Sequence, residues 1–264
     1  MNTKLWKNAH AYNAHAVIQK QCAYDLANLF SGNEPVSSII DVGCGTGFAS
    51  RAFMEKYPNA QYTLCDISPD MVNFARYELS RGGRNDQLGE LCDISADKPL
   101  DNPLNEFPFS LQNPPPKVNF LVCDADSYAF KDNFDLCISN LSVQWFSDFE
   151  GFIRKISKRA KYITFSTLTK GSFREFNDRL AQNIPSEKYK TVDEIVKICR
   201  ASVLNVEFLE KTYIQTFESL YKAALHFKEI GVPGECCLKN AFAFLKNNSP
   251  VNLEYKVLIA KSRL

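Results

Sequence analysis

The stretch Ile39-Ile40-Asp41-Val42-Gly43-Cys44-Gly45-Thr46-Gly47 limits what this chain can fold into more than any other. Two β-branched residues lead into a carboxylate, and glycines then alternate with small residues. Such a run reads as a buried strand entering a tight turn where backbone approaches a ligand closely. Beyond Gly47 the apolar residues Phe48, Ala49, Ala52, Phe53 and Tyr57 fall at helical steps. Strand, glycine turn and helix together make the first unit of a nucleotide-type site in a doubly wound α/β sheet.

The glycine spacing narrows the ligand. A dinucleotide fingerprint G-x-G-x-x-G places its third glycine where this chain has Phe48, and no lysine follows Gly47 as a P-loop requires. A carboxylate at position 41 would repel a pyrophosphate, whereas it suits a cationic group such as an amino acid ammonium. The run D-x-G-x-G-x-G resembles motif I of S-adenosylmethionine (SAM) methyltransferases; taken alone, it also fits an ordinary glycine strand-to-helix turn.

Strands and helices then alternate. Strand 1 is expected at 36–41, a helix at 47–57, and strand 2 at 61–65 with Asp66 after it. From Gly47 to Asp66 is 66 − 47 = 19 residues, the spacing at which an acidic residue takes ribose hydroxyls. Ser68 caps a helix begun by Pro69, with Ile67 and Met71 beside the ribose position. Strand 3 is expected at 117–123 and ends in Asp124-Ala125-Asp126, where a carboxylate and a backbone N–H can serve an adenine. Strand 4, 134–138, runs into Ser139-Asn140-Leu141, and a short helix follows with Val143, Trp145 and Phe146. Trp145 packs on cofactor or on core. The cations Arg154, Lys155, Lys158, Arg159 and Lys161 are expected on a solvated helix face. Strand 5 is expected at 162–166, a mainly helical segment at 167–250 with β-type runs near 203–217, and a last strand at 253–260. Residues 6–30 read as one or two helices that place Tyr12 and Gln19 on one face, as packing against the sheet or as a lid.

The fold expected is therefore α/β: a doubly wound, Rossmann-like, mostly parallel sheet with an antiparallel edge hairpin, N-terminal lid helices and a helical insertion after strand 5. The chain reads as one domain, with lid helices over 1–32, a core over 33–166, a cap over 167–250 and a final strand over 251–264. Residues 81–117 interrupt the pattern with prolines at 99, 103, 108, 114, 115 and 116 and no periodicity. Their Asn113-Pro114-Pro115-Pro116 precedes strand 3 and lacks an aromatic fourth residue, so it does not match the N-P-P-aromatic motif that amino-group nucleic acid methyltransferases carry after strand 4.

Composition excludes several classes. A net charge of +1 gives no global attraction for nucleic acid or membrane surfaces. No apolar run reaches a membrane span, and the first residues lack a signal-peptide core. Nine cysteines without a CxxC pair fit a reducing, cytoplasmic compartment, with Cys44, Cys65, Cys123 and Cys137 as small buried hydrophobes. The histidines His10, His15 and His226 show no metal-ligand spacing, so no metal site is expected.

Three longer stretches carry a narrower resemblance. Ser139-Asn140-Leu141-Ser142-Val143-Gln144-Trp145, Phe165-Ser166-Thr167-Leu168-Thr169-Lys170-Gly171-Ser172 and Tyr12-x-x-His15-Ala16-x-x-Gln19 are similar to S-N-L-A-V-Q-W, F-x-T-L-x-x-G-S-L and Y-x-x-H-A-x-x-Q of the BioC family, the malonyl-acyl carrier protein O-methyltransferases of biotin synthesis. Phe227-Lys228-Glu229-Ile230-Gly231 is a weaker match to L-K-x-I-G, and 81–117 departs from the family.

The resemblance implies SAM as cofactor, methyl transfer to the free carboxylate of a malonyl thioester, and acyl carrier protein (or coenzyme A) bearing malonyl as partner, with the enzyme a monomer. Asp41, Gly43, Cys44, Gly45, Gly47, Asp66, Ile67, Met71, Asp124, Ala125, Asn140 and Leu141 are the expected cofactor residues. One of Lys170, Arg174 or Lys228 would orient the carboxylate, and Tyr12 and Gln19 would close over the site. The alternatives are another small-molecule carboxyl- or amine-directed SAM methyltransferase, and a SAM-binding protein without catalysis.

Overall fold

The protein was analysed as a computed structural model, which describes residues 8–30, 35–80, 116–180, 188–202, 205–231 and 249–263. Most of the 81–117 segment and the Cys236-Cys237 pair lie outside these residues. Strands β1 (Ser38–Val42), β2 (Gln61–Asp66), β3 (Val118–Val122), β4 (Phe134–Asn140), β5 (Ala160–Leu168), β6 (Val206–Phe217) and β7 (Val251–Arg263) form one sheet in the order β3-β2-β1-β4-β5-β7-β6. β1 to β5 pair in parallel, and β7 runs antiparallel between β5 and β6. The expected edge pair is therefore present. It is not a tight hairpin, because helix α8 (Leu220–Glu229) and further chain separate its strands.

The central strands are buried on both faces, which is why β1 and β4 read as nearly continuous apolar runs. Side-chain alternation sends Ile39, Tyr62, Leu64, Leu136 and Ile138 into one apolar cluster with α2 (Val17–Leu29), α3 (Phe48–Lys56) and α8. Ile40, Val42, Cys65, Cys137 and Phe165 enter the other, with α5 (Phe149–Ile156) and α7 (Val192–Ser202). Helix α4 (Pro69–Ser80) is capped by Ser68, whose Oγ accepts from Met71 N at 3.4 Å, and packs Met71 and Phe74 near α1 (Ala9–His15). At the opposite strand ends, Asp135 ties β1 to β4: its Oδ2 accepts from Ser37 N at 2.9 Å and Ser37 Oγ at 2.6 Å. Burial opposes ionisation there, but Lys161 and Ser37 outweigh it and hold the carboxyl well below the usual range.

The cationic run divides where a single helical face was expected. Helix α5 stops at Ile156, with Ser157 at its C-terminal cap, and Lys161 already belongs to β5. Lys155 is no bystander: its ammonium donates to Ala125 O at 2.9 Å and Asp126 O at 2.6 Å, fixing the loop after β3. Between β4 and α5 the chain makes a single 3₁₀ turn, Val143–Trp145. Among the described residues no helix is long and apolar enough to cross a membrane, and no cluster of three potential metal ligands occurs.

Candidate active site

Strand order reverses on either side of β1, between β2 and β4, and the carboxyl ends of these strands open a cleft of about 810 Å³. Ligands of open α/β sheets bind at this place. The glycine turn forms its floor. Gly43, Gly45 and Gly47 have φ of +69°, +53° and +87°, in the left-handed region that side-chain-bearing residues avoid. Gly43 N and Cys44 N both donate to Cys65 O, at 2.8 and 3.0 Å, so the turn is braced by β2. A Cβ at Gly43 would lie 1.8 Å from Ser142 Oγ. The turn thus needs glycine at 43 for two independent reasons, conformation and contact with the wall after β4.

Two carboxylates at the strand ends have different tasks. Asp41 is fully buried, and its Oδ2 accepts from Ser50 Oγ at 2.6 Å and Ser50 N at 3.2 Å. Its Oδ1 faces no donor among the described residues. Burial pushes this carboxyl up to about 7, against the pull of Ser50. A buried carboxylate oxygen without a partner, on the wall of a cleft, is suited to a ligand cation. Asp66 accepts from Gly45 N and Ser68 N, each at 2.9 Å, through separate oxygens. Each oxygen keeps a lone pair for a further donor, as a diol would supply; burial raises its pKa despite these backbone donors. Asp124 shapes its own loop, with Oδ1 accepting from Asp126 N at 3.0 Å, and lies on the cleft wall with Ala125.

The far wall is the end of β4. Leu141 adopts a positive φ of +46°, and its N donates to both the carbonyl and the hydroxyl of Ser166 at 3.0 Å. Asn140 accepts from Ser166 Oγ at 2.8 Å and donates Nδ2 to Gln19 O at 2.9 Å, which fastens α2 to the site. Strain at Leu141 is therefore held by β5 on one side and by the N-terminal helices on the other. Tyr12 stands over the opening, its ring stacked on Phe48 at 6.2 Å.

The cleft brings together Tyr12, Asp41, Gly43, Cys44, Gly45, Asp66, Ile67, Met71, Asp124, Ala125, Asn140 and Leu141. It does not bring in Gly47, which shapes the turn as the cap of α3, or the Gln19 side chain, which is buried behind Asn140. The helix breaks at Ala16, so Tyr12 and Gln19 do not share one continuous helical face. Lys170, Arg174 and Lys228 are exposed and line no described cleft. Sequence reasoning passed over Thr46, Ala49, Ser142 and Phe146 as wall residues, and Cys65 and Cys123 as more than core. The clue to Ser142 was available: a glycine facing a strand end implies a neighbour pressed against it. Trp145 serves both readings, lining the cleft and packing edge-on against Tyr189 at 5.8 Å.

A second cleft of about 380 Å³ adjoins the first. Phe146 lines both, and Gln144, Thr167, Lys188 and Lys190 are among the other lining residues of the second.

Fold and site have the form of the SAM-dependent methyltransferases, and SAM is the cofactor they fit. The unpartnered Asp41 oxygen, the two-oxygen acceptor Asp66 and the glycine floor fit the ammonium and ribose of that molecule. A methyltransferase domain family matches residues 40–161. Over 238 residues the chain is 26% identical to malonyl-acyl-carrier protein O-methyltransferase 1 of Ilyobacter polytropus, covering 88% of this chain and 76% of that protein. It is also 26% identical, over 236 residues, to the malonyl-acyl-carrier protein O-methyltransferase of Acetivibrio thermocellus, covering 84% and 69% respectively. Among solved structures, the YcgJ protein of Bacillus subtilis shares the fold at a TM-score of 0.58 and 16% identity, over 91% of this chain and 97% of that one.

Proposed function

We propose that this enzyme methylates the free carboxylate of a malonyl thioester, carried on acyl carrier protein, to give the methyl ester that primes pimeloyl synthesis for biotin. One observation carries the reading: Leu141, Ser142 and Trp145, from one of the stretches similar to the malonyl-acyl-carrier protein methyltransferases, stand on the cleft wall beside the glycine floor. The curated relatives, named for that reaction and similar over most of the chain, support it.

When bound, SAM supplies a methyl group on a sulfonium. Asp41 would hold its ammonium, Gly43 and Gly45 would approach its amino acid end, Asp66 would take the ribose hydroxyls, and Asp124 with Ala125 would face the adenine. Tyr12, Phe48, Trp145 and Phe146 form an aromatic rim that keeps water from the reacting oxygen. A malonyl carboxyl titrates near pH 4, so the acceptor oxygen is already an anion at neutral pH and no general base is required. Among the described residues, the thiols of Cys44, Cys65 and Cys123 line the wall beside the carboxylates. The residues' work is alignment.

Mass spectrometry of malonyl-carrier protein incubated with enzyme and SAM tests the reading. A gain of one methyl on the acyl group is expected. SAM binding without any acyl mass change would instead favour a different acceptor or a binding protein.

A further inference from the structure

The second cleft has no task in methyl transfer itself. It lies on the β5 side of the 3₁₀ turn, with Phe146 as the partition between it and the cofactor cleft. One stretch of its wall is polar and neutral: Gln144, whose Nε2 donates to Leu141 O at 2.6 Å, and Thr167, whose Oγ1 donates to Gln144 Oε1 at 3.3 Å. At its margin are Lys188 and Lys190, both exposed, and neither makes an ion pair with a described residue. Lys190 is fixed by its backbone, since Lys170 N donates to Lys190 O at 3.0 Å, so the margin is anchored just past the end of β5. Glu194 lies close enough to feel the Lys190 charge, but its carboxylate is engaged first by Thr191 N at 2.7 Å and Thr191 Oγ1 at 3.0 Å. Tyr189, between the lysines, is buried and packs on Trp145, which anchors this segment beside the 3₁₀ turn while both lysines line the cleft.

A cleft beside the methyl-transfer wall that sets Gln144 and Thr167 among the apolar residues Val143, Phe149, Leu168 and Ile195, with two lysines on its lining, matches one kind of ligand: a chain of amides that ends in a phosphate. We propose that this cleft seats the phosphopantetheine arm of the acceptor thioester, with Gln144 and Thr167 beside its amides and Lys188 and Lys190 on its phosphate. The inference rests on the thioester reading of the site and adds the part of the substrate that lies beyond the acyl group. Carrier protein and coenzyme A share this phosphate, so the chemistry recognised is common to both.

The test is a double charge removal, Lys188→Ala with Lys190→Ala, at exposed positions. For malonyl-carrier protein and for malonyl-coenzyme A, KM is expected to rise about tenfold or more at nearly unchanged kcat, the scale of lost charge-assisted hydrogen bonds to an anion. With malonyl-N-acetylcysteamine, which ends before the phosphate, kcat/KM of wild type and variant should be the same. An equal loss on all three substrates, or no loss on any, overturns the proposal. A loss confined to carrier protein also overturns it, since the lysines would then meet the protein surface rather than the shared phosphate. Calorimetry with 4′-phosphopantetheine itself, on enzyme saturated with S-adenosylhomocysteine, separates this inference from the reaction: binding by wild type that the double variant loses sustains it even if no malonyl thioester is methylated, and absence of binding by wild type overturns it even if one is.

Discussion

The two clefts on either side of Phe146 are built from different materials. The larger rests on a backbone turn, with Gly43 and Gly45 in the left-handed region on its floor, and on carboxylates placed by register at the ends of β1 and β2. The smaller is made of side chains delivered from β5, the 3₁₀ turn, the start of α5, and α7 with the segment before it. A backbone site tolerates little change and suits a constant ligand, as the cofactor proposed for the larger cleft would be. A side-chain site can be reset residue by residue, as acceptor specificity requires.

Five substitutions can break or sharpen this contrast. The largest effect is expected from Gly43→Ala, which forces a left-handed alanine against Ser142; SAM affinity measured by calorimetry should fall by about 3 kcal/mol or more. Adding Ser142→Gly should recover part of that loss, since it removes the clash but not the backbone strain. Next, Asp66→Ala should weaken SAM by about 2 kcal/mol, roughly 30-fold, the scale of a charge-assisted hydrogen bond. An unchanged dissociation constant would contradict the ribose assignment.

Asp41 should make cofactor binding depend on pH. Its carboxyl, raised to about 7 by burial, must be ionised to meet a ligand ammonium. Affinity is therefore expected to be full above pH 7 and to fall about tenfold per unit below it. Asp41→Asn should flatten that profile while weakening binding at pH 8. The smallest effect belongs to the other cleft: Gln144→Ala should raise the acceptor's KM about fivefold, for one neutral hydrogen bond of about 1 kcal/mol, and leave SAM affinity in place. Equal damage to both ligands would erase the distinction between the two regions.

The same contrast explains what could be read from the residues alone. Asp41, the glycines, Asp66 and Asp124 were legible because strand periodicity and turn chemistry are local, and a parallel sheet brings their ends to one edge. The end of β4 was legible as a site but not as a strained turn: that φ at Leu141 is positive depends on Ser166 from the neighbouring strand. The break at Ala16 and the halt of α5 at Ile156 fall inside stretches whose helical spacing continues past them, so periodicity alone marks neither boundary. Lys188 and Lys190 sit in a segment with no periodic signature, while Lys170, Arg174 and Lys228, chosen from the segment after strand 5, lie outside both clefts. Long-range placement of exposed cations cannot be read from spacing.

The central claim is that the methyl group ends on the malonyl carboxylate oxygen. Carbon-13 NMR after reaction with SAM labelled in its methyl group reads this directly. The account predicts one labelled O-methyl ester resonance on the acyl chain of malonyl-carrier protein, absent with acetyl-carrier protein. A label on the malonyl carbon, on the carrier's own side chains or nowhere but in SAM would contradict it.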